Sequence, residues 1–168
     1  MTGGSLGWWA ARLRQARRHL TASVAPAERA DLEAWLSPAQ LGLFDAMHVA
    51  DRRHGLDVVA WLRADGVDDP DVLVAGLLHD AGKGRTGFVP RVVHSLAQAY
   101  GGWIVRAAGV WPPLRASLRR LATHAETSAG LAVAAGCSER TVELIREQEE
   151  NVPEDRLAQR LHLADEAS

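Results

Sequence analysis

The 168-residue chain holds one cysteine, Cys137, so no internal disulfide can form and the fold must rest on its packed core. That usage fits a reducing compartment, and we expect a cytoplasmic protein. Long apolar runs are missing too: "VLVAGLL" and "LAVAAGC" fall far short of the roughly 20 residues that a bilayer-crossing helix needs. In "MTGGSLGWWAARLRQARRHL" the arginines follow the apolar residues, the reverse of a secretory signal. Neither sign of charge dominates. A net charge of -2 and a pI near 6.4 offer no broad basic surface, so a nucleic-acid duplex is not an expected partner and any phosphate contact must be local. Lysine is nearly absent, since Lys83 is the only one and every other one of the 19 basic residues is arginine.

Strand-like alternation is lacking as well, which points to an all-α fold. Length and a 47% hydrophobic content suit one compact domain, with no internal repeat and no low-complexity linker. We expect residues 1–36 to form an N-terminal helical extension packed on a domain of residues 37–168. In the extension Trp9, Leu13, Ala16 and Leu20 recur at helical spacing. With Trp8 and the cluster Arg12, Arg14, Arg17 and Arg18 they read as a docking helix with a charged face, in preference to a contact with an acidic partner or a membrane surface. Ser37-Pro38 and Asp69-Pro70 are helix starts, Gly66 and Gly136 are stops, and Ser138 is another N-cap. "RTGFVPRVVHSLAQAYGGWIVRAAGVWPPL" is broken by Pro90, Gly101-Gly102 and Pro112-Pro113, so a lid or a poorly ordered connection is expected there.

Chemistry concentrates in "GLLHDAGKG", residues 76–84. A P-loop needs four residues between its first glycine and Gly-Lys, then Ser or Thr; here five intervene after Gly76, and Gly84 replaces the hydroxyl. The phosphate-loop reading therefore fails. His79 and Asp80 supply instead one imidazole nitrogen and one carboxylate, a mixed pair suited to divalent ions. Two ligands are too few, so others must come from elsewhere. His54 shares a helical face with Val58, Trp61 and Leu62, where imidazole has little other use. Asp165 follows Leu157 and Leu161 at successive i, i+4 steps, where a carboxylate is costly to desolvate unless a cation or hydrogen bonds compensate it.

His54, then His79-Asp80 inside "LLHDAGK", then Asp165 inside "LHLADE" resembles the HD-domain superfamily of metal-dependent phosphohydrolases, over the segment from about Leu41 to Asp165. The resemblance implies a single-domain helical bundle around a divalent metal (Mn, Ni, Mg, Fe, Co or Zn) held by His54, His79, Asp80 and Asp165. It also implies hydrolysis of a small phosphorylated substrate, a nucleotide or other phosphate ester, through a metal-activated water. Two-metal HD domains add a histidine opening a helix, matched by His124 in "THAETSAG", and then a His-His pair, where "LIREQEE" has Glu147 and Gln148. One ion is thus favoured over two, although Glu147 could still contribute an oxygen. The signatures of cyclic-di-GMP phosphodiesterases and of stringent-response alarmone hydrolases are absent.

Among the remaining groups, Asp80, Lys83 and His124 are the candidate catalytic residues, and Arg52, Arg53 and Lys83 are candidates for a substrate phosphate. Each arginine taken singly reads more simply as a solvated surface group. His124 is open between an exposed residue near a helix start and a group that touches substrate or ligands. His48 is the rival to His54 as first ligand; His19, His94 and His162 read as packing or surface residues, and Cys137 as packing. A nucleotide-sensing module that no longer turns over, or one whose metal is structural, is the alternative function, motivated by Glu147-Gln148. A di-iron oxygenase needs more ligands than the chain offers. No signal for an oligomeric state is present.

Overall fold

The computed structural model describes residues 21–84, 123–148 and 155–168. The chain divides into two compact units, Met1–Ala22 with Arg85–Ala122 and Ser23–Gly84 with Thr123–Ser168. The second unit holds every element that follows. The Trp- and Arg-rich N-terminus, the expected lid segment, and with them His19 and His94, lie outside the described residues.

The described residues are all-α, with no strand. Their helices are α1 (Pro26–Leu32), α2 (Pro38–Ala46), α3 (Val49–Ala64), α4 (Pro70–Leu78), α5 (His124–Ala134), α6 (Glu139–Glu147) and α7 (Arg156–Ala167), and a 3-10 turn, Ala81–Lys83, follows α4. Local chemistry sets the ends. Ser37 Oγ accepts from Gln40 N–H at 3.2 Å while Gln40 Oε1 accepts from Ser37 N–H at 2.9 Å, a reciprocal cap that opens α2. Asp69 Oδ1 accepts from the Asp71 and Val72 amides ahead of α4, and Asp155 Oδ1 does the same for Leu157 and Ala158 ahead of α7. Gly66 and Gly136 stop α3 and α5 at φ 79° and 72°, a left-handed conformation that a side chain would strain.

Helix α4 is apolar all round, and each residue from Val72 to Leu78 is buried. Such a helix must be surrounded, and α2, α3, α6 and α7 pack against it. Phe44, Val58, Leu62, Leu144, Ile145 and Leu161 are wholly enclosed around its own buried Leu77 and Leu78, and each such side chain stabilises the fold by about 1.5–3 kcal/mol. Ser138 Oγ donates to Asp71 Oδ1 at 2.5 Å and the buried Thr141 Oγ1 donates to the same oxygen at 3.0 Å, which joins the start of α6 to the start of α4. The consequence for function is positional: the most firmly held helix of the unit delivers His79 from its C-terminus into the interior.

Candidate metal centre

Two glycines let three chain segments meet. A Cβ on Gly55 would lie 2.5 Å from the Leu77 carbonyl oxygen, so α3 and α4 can cross this closely only with glycine there. The crossing sets His54, one residue before Gly55, beside His79: their rings are 5.2 Å apart, edge to face at 74°. A Cβ on Gly82 would lie 2.4 Å from the His124 carbonyl oxygen and 2.6 Å from the Ser128 nitrogen. That contact seats the 3-10 turn on the first turn of α5. Gly82 N–H donates to the fully buried Ser128 Oγ at 2.8 Å, which latches the turn there.

The dyad does not lie within the helix. His79 is the C-cap of α4, and Asp80, at φ -92° and ψ 3°, opens the 3-10 turn. This break allows two adjacent side chains to converge, whereas on a continuous helix they would diverge by roughly 100°. His79 Nδ1–H donates to the Gly76 carbonyl at 2.9 Å, leaving Nε2 as the free nitrogen of the neutral ring. His79 Nε2 is 3.2 Å from Asp80 Oδ1 and 3.4 Å from Asp165 Oδ1. His54 Nε2–H donates to Asp165 Oδ1 at 2.6 Å. His54, His79 and Asp80 bring one ligand atom each to within 4.8 Å of one another, so this group could hold a metal ion. Asp165 joins it through both histidines.

Whether the residues fit a cation can be judged from the buried polar atoms. His79 and Asp80 are each only 3% exposed, and His79 Nε2 is buried without a hydrogen bond, while the buried Asp80 Oδ1 has the Lys83 ammonium 2.6 Å away. Atoms of this kind ordinarily find partners, and leaving one unsatisfied costs about 1–3 kcal/mol. The two face each other, one nitrogen and one oxygen, which is what a divalent ion asks of its ligands. The C-terminal end of α4 adds a partial negative charge at the same place.

The electrostatics agree. Burial alone would push the His79 pKa down, but Asp80, together with Asp165, outweighs it and raises the imidazole from 6.5 to about 9. Burial likewise works to raise Asp80, yet the positive charges of His79, Lys83 and His54 hold its carboxyl well below the usual range. Asp165 follows the same logic: burial is overcome by the hydrogen bond from His54 and by the nearness of the His79 ring, and its carboxyl stays ionised far into acid. The cluster is therefore a buried anionic site that attracts positive charge, whether a proton on His79 or a metal.

Of the other sequence candidates, two reach the cluster. Lys83 Nζ is 2.6 Å from Asp80 Oδ1 and 2.7 Å from Oδ2, with the hydrogen bond made to Oδ2. His124, the first residue of α5, brings Nε2 to 3.8 Å from Asp80 Oδ1. Arg53 is engaged elsewhere, bonded to Glu28 at 2.6 Å and to Asp57 at 3.0 Å. Arg52 lies over the Phe44 ring at 5.9 Å, with Asp45 at 3.9 Å. His48 is the N-cap of α3, its Nδ1 accepting from Ala50 N–H at 3.2 Å. Glu147 ends α6, Gln148 caps it, and neither belongs to the group of mutually close ligand atoms. His162 lies 3.7 Å from Glu166 along α7, and Cys137, half-buried, accepts from Gln40 Nε2 at 3.5 Å, burial pushing its thiol pKa up.

Sequence reasoning passed over Gly55, the Gly76 carbonyl and Ser128. The glycine beside His54 was the available signal for the first; nothing in the sequence marks Ser128, whose partner is 46 residues away. No protein-family model, curated protein or solved structure matches this chain.

Proposed function

We propose that this protein is a metal-dependent phosphohydrolase of the HD-domain kind, acting on a nucleotide or other small phosphate ester. The observation that carries the reading is the convergence of His54, His79 and Asp80, with His79 Nε2 buried, without a hydrogen bond and 3.2 Å from the buried Asp80 Oδ1. His54, His79, Asp80 and Asp165 would hold a divalent ion, which would lower the pKa of a water and act as a Lewis acid toward a phosphoryl oxygen. The mixed imidazole and carboxylate set suits Mn, Fe, Co, Ni or Zn better than Mg. One ion is the simpler reading, because among the described residues the close group comprises only His54, His79 and Asp80, and Asp165 is the one further carboxylate that both histidines reach.

The chain's own groups divide the remaining work. The Gly76 carbonyl holds the His79 ring in one tautomer, so that Nε2 is aimed at the cluster. Lys83, with a quarter of its side chain exposed and its ammonium on Asp80, offsets phosphate charge beside the ion. His124 sits at the same edge, 3.8 Å from Asp80, and is the candidate to hand a proton to the leaving oxygen. Arg53 has no part in this reading, because its guanidinium group is committed to Glu28 and Asp57.

The test is a phosphatase and phosphodiesterase screen with manganese, iron, cobalt, nickel, zinc and magnesium. Metal-dependent turnover that His79→Ala and Asp80→Ala abolish is expected. Bound metal with nucleotide binding and no turnover would favour a sensing module instead, and no metal dependence at all would overturn both.

A further inference from the structure

Asp65 is an acid at the unfavourable end of a helix. It is the C-cap of α3, where the helix itself carries partial negative charge and a cation is preferred. The backbone there is closed through Gly66: its N–H donates to the Arg63 carbonyl at 3.1 Å, and Val67 N–H donates to the Leu62 carbonyl at 2.9 Å. The Asp65 carbonyl lies beyond those two bonds, and Arg160 of α7 takes it. Arg160 Nη1 donates to that carbonyl at 3.2 Å and also to the Asp65 carboxylate. One guanidinium, 95 residues away in sequence, thus offsets both the carboxylate and the end of α3.

Helix α7 has use for such an anchor. Its buried residues are Ala158, Leu161 and Ala164. Alanine methyl groups form shallow ridges, so they fix how deeply the helix lies better than where it lies along its axis. Leu161 reaches further in, with Cδ1 3.3 Å from the place a Gly76 Cβ would take. Asp165 follows four residues later, and its Oδ1 accepts from His54 Nε2–H at 2.6 Å. Helix α7 therefore meets α3 at two polar points, Arg160 on Asp65 and Asp165 on His54, and the two helices run in opposite directions between them.

We infer that Arg160 is a positioning residue of the metal centre: by clasping Asp65 it sets where α7 lies along α3, and so where Asp165 presents its carboxylate. This rests on the proposed metal centre, with Asp165 as one of its ligands. Metal ligands tolerate displacements of only about 0.2 Å, so a small slide of α7 is enough to be felt. An ion pair that merely stabilised the fold would change unfolding without changing metal affinity. The clasp changes both.

The experiment is calorimetric titration of the full chain with manganese and with zinc, beside denaturant unfolding, for the wild type, Arg160→Met, Arg160→Lys, Asp65→Asn, Arg29→Met and the double variant Arg160→Met, Asp65→Asn. Arg160→Met should weaken metal binding about 3- to 5-fold, the scale of one partly exposed ion pair. Arg160→Lys keeps a charged donor and should recover part of that loss. Asp65→Asn should weaken metal binding in the wild type and add nothing in Arg160→Met, because the two groups act as one. Arg29→Met removes ion pairs of similar exposure, to Asp45 and Glu33, and should lower stability alike while metal affinity stays at the wild-type level. Wild-type metal affinity in Arg160→Met, an equal loss of affinity in Arg29→Met, or additive losses in the double variant would overturn the clasp and leave the metal centre standing. A wild type that binds neither metal would overturn the metal centre, and the clasp with it.

Discussion

Replacing Gly55 by alanine should disable the metal centre without touching a ligand. The added Cβ would meet the Leu77 carbonyl oxygen at 2.5 Å and its carbonyl carbon at 3.1 Å, both backbone atoms that no rotamer change can move. Ordinary contact begins near 3.4 Å, so α3 and α4 must part by about 0.9 Å at the crossing. Metal ligands tolerate displacements of only about 0.2 Å, and His54 and His79 ride on the two helices being separated. We expect metal affinity to fall at least ~10-fold and stability by about 1–3 kcal/mol, the usual cost of overpacking. The control is Gly42→Ala in α2, where a Cβ meets nothing within 4 Å. That change should leave metal binding alone and stabilise the helix by up to about 1 kcal/mol. Calorimetric metal titration and thermal unfolding of the two variants decide the matter. A Gly55→Ala protein with wild-type metal affinity and wild-type unfolding temperature would refute the argument that this close crossing builds the site.

Further outcomes follow from the same geometry. Because the His79 pKa stands near 9 in the metal-free protein and ligation needs the neutral ring, metal affinity should rise ~10-fold per unit between pH 7 and 9 and then level off. One proton should be released per ion bound near pH 7, read from titrations in buffers of different ionisation enthalpy; a flat pH profile would count against His79 as a ligand. In the absence of metal the sign reverses for folding: the raised His79 pKa contributes stability in full below 6.5, and that contribution is lost as pH rises through about 9. Denaturant unfolding of the apo-protein at pH 6, 7.5 and 9 measures it, and Asp165→Asn should flatten the trend. Ser128→Ala leaves the Gly82 amide unsatisfied and should cost about 1–3 kcal/mol, with metal affinity falling as the turn loosens. Arg53→Met should lower stability by less than about 1 kcal/mol and leave any turnover unchanged, since the Arg53 ion pairs are partly exposed and lie apart from the cluster.

What the sequence made legible was mostly local. Ser37, Asp69 and Ser138 announce helix starts because each bonds amides two or three residues ahead, and Gly66 and Gly136 announce stops because their backbones turn left-handed. His54 stood out because imidazole shared a face with Val58 and Leu62, both of which prove fully buried. Asp165 stood out for the same reason on α7. The less legible features all have partners far away in sequence. Gly55 and Gly82 looked like ordinary helix and turn glycines, and only the remote backbones of Leu77 and of His124 to Ser128 show why no side chain fits. Arg53 adjoins a ligand and invites a phosphate-binding reading, but Glu28, 25 residues upstream, engages it. His48 was the rival first ligand although it lacks the apolar periodicity that follows His54, and its ring caps α3.

The account rests on a metal held by His54, His79, Asp80 and Asp165, and equilibrium dialysis against manganese and zinc, followed by elemental analysis, tests it most directly. Wild-type protein should retain one ion per chain, and the His79→Ala, Asp80→Ala double variant, confirmed as folded by its helical circular dichroism, should retain none. A wild type that holds no ion, or a folded double variant that holds as much as the wild type, would contradict it.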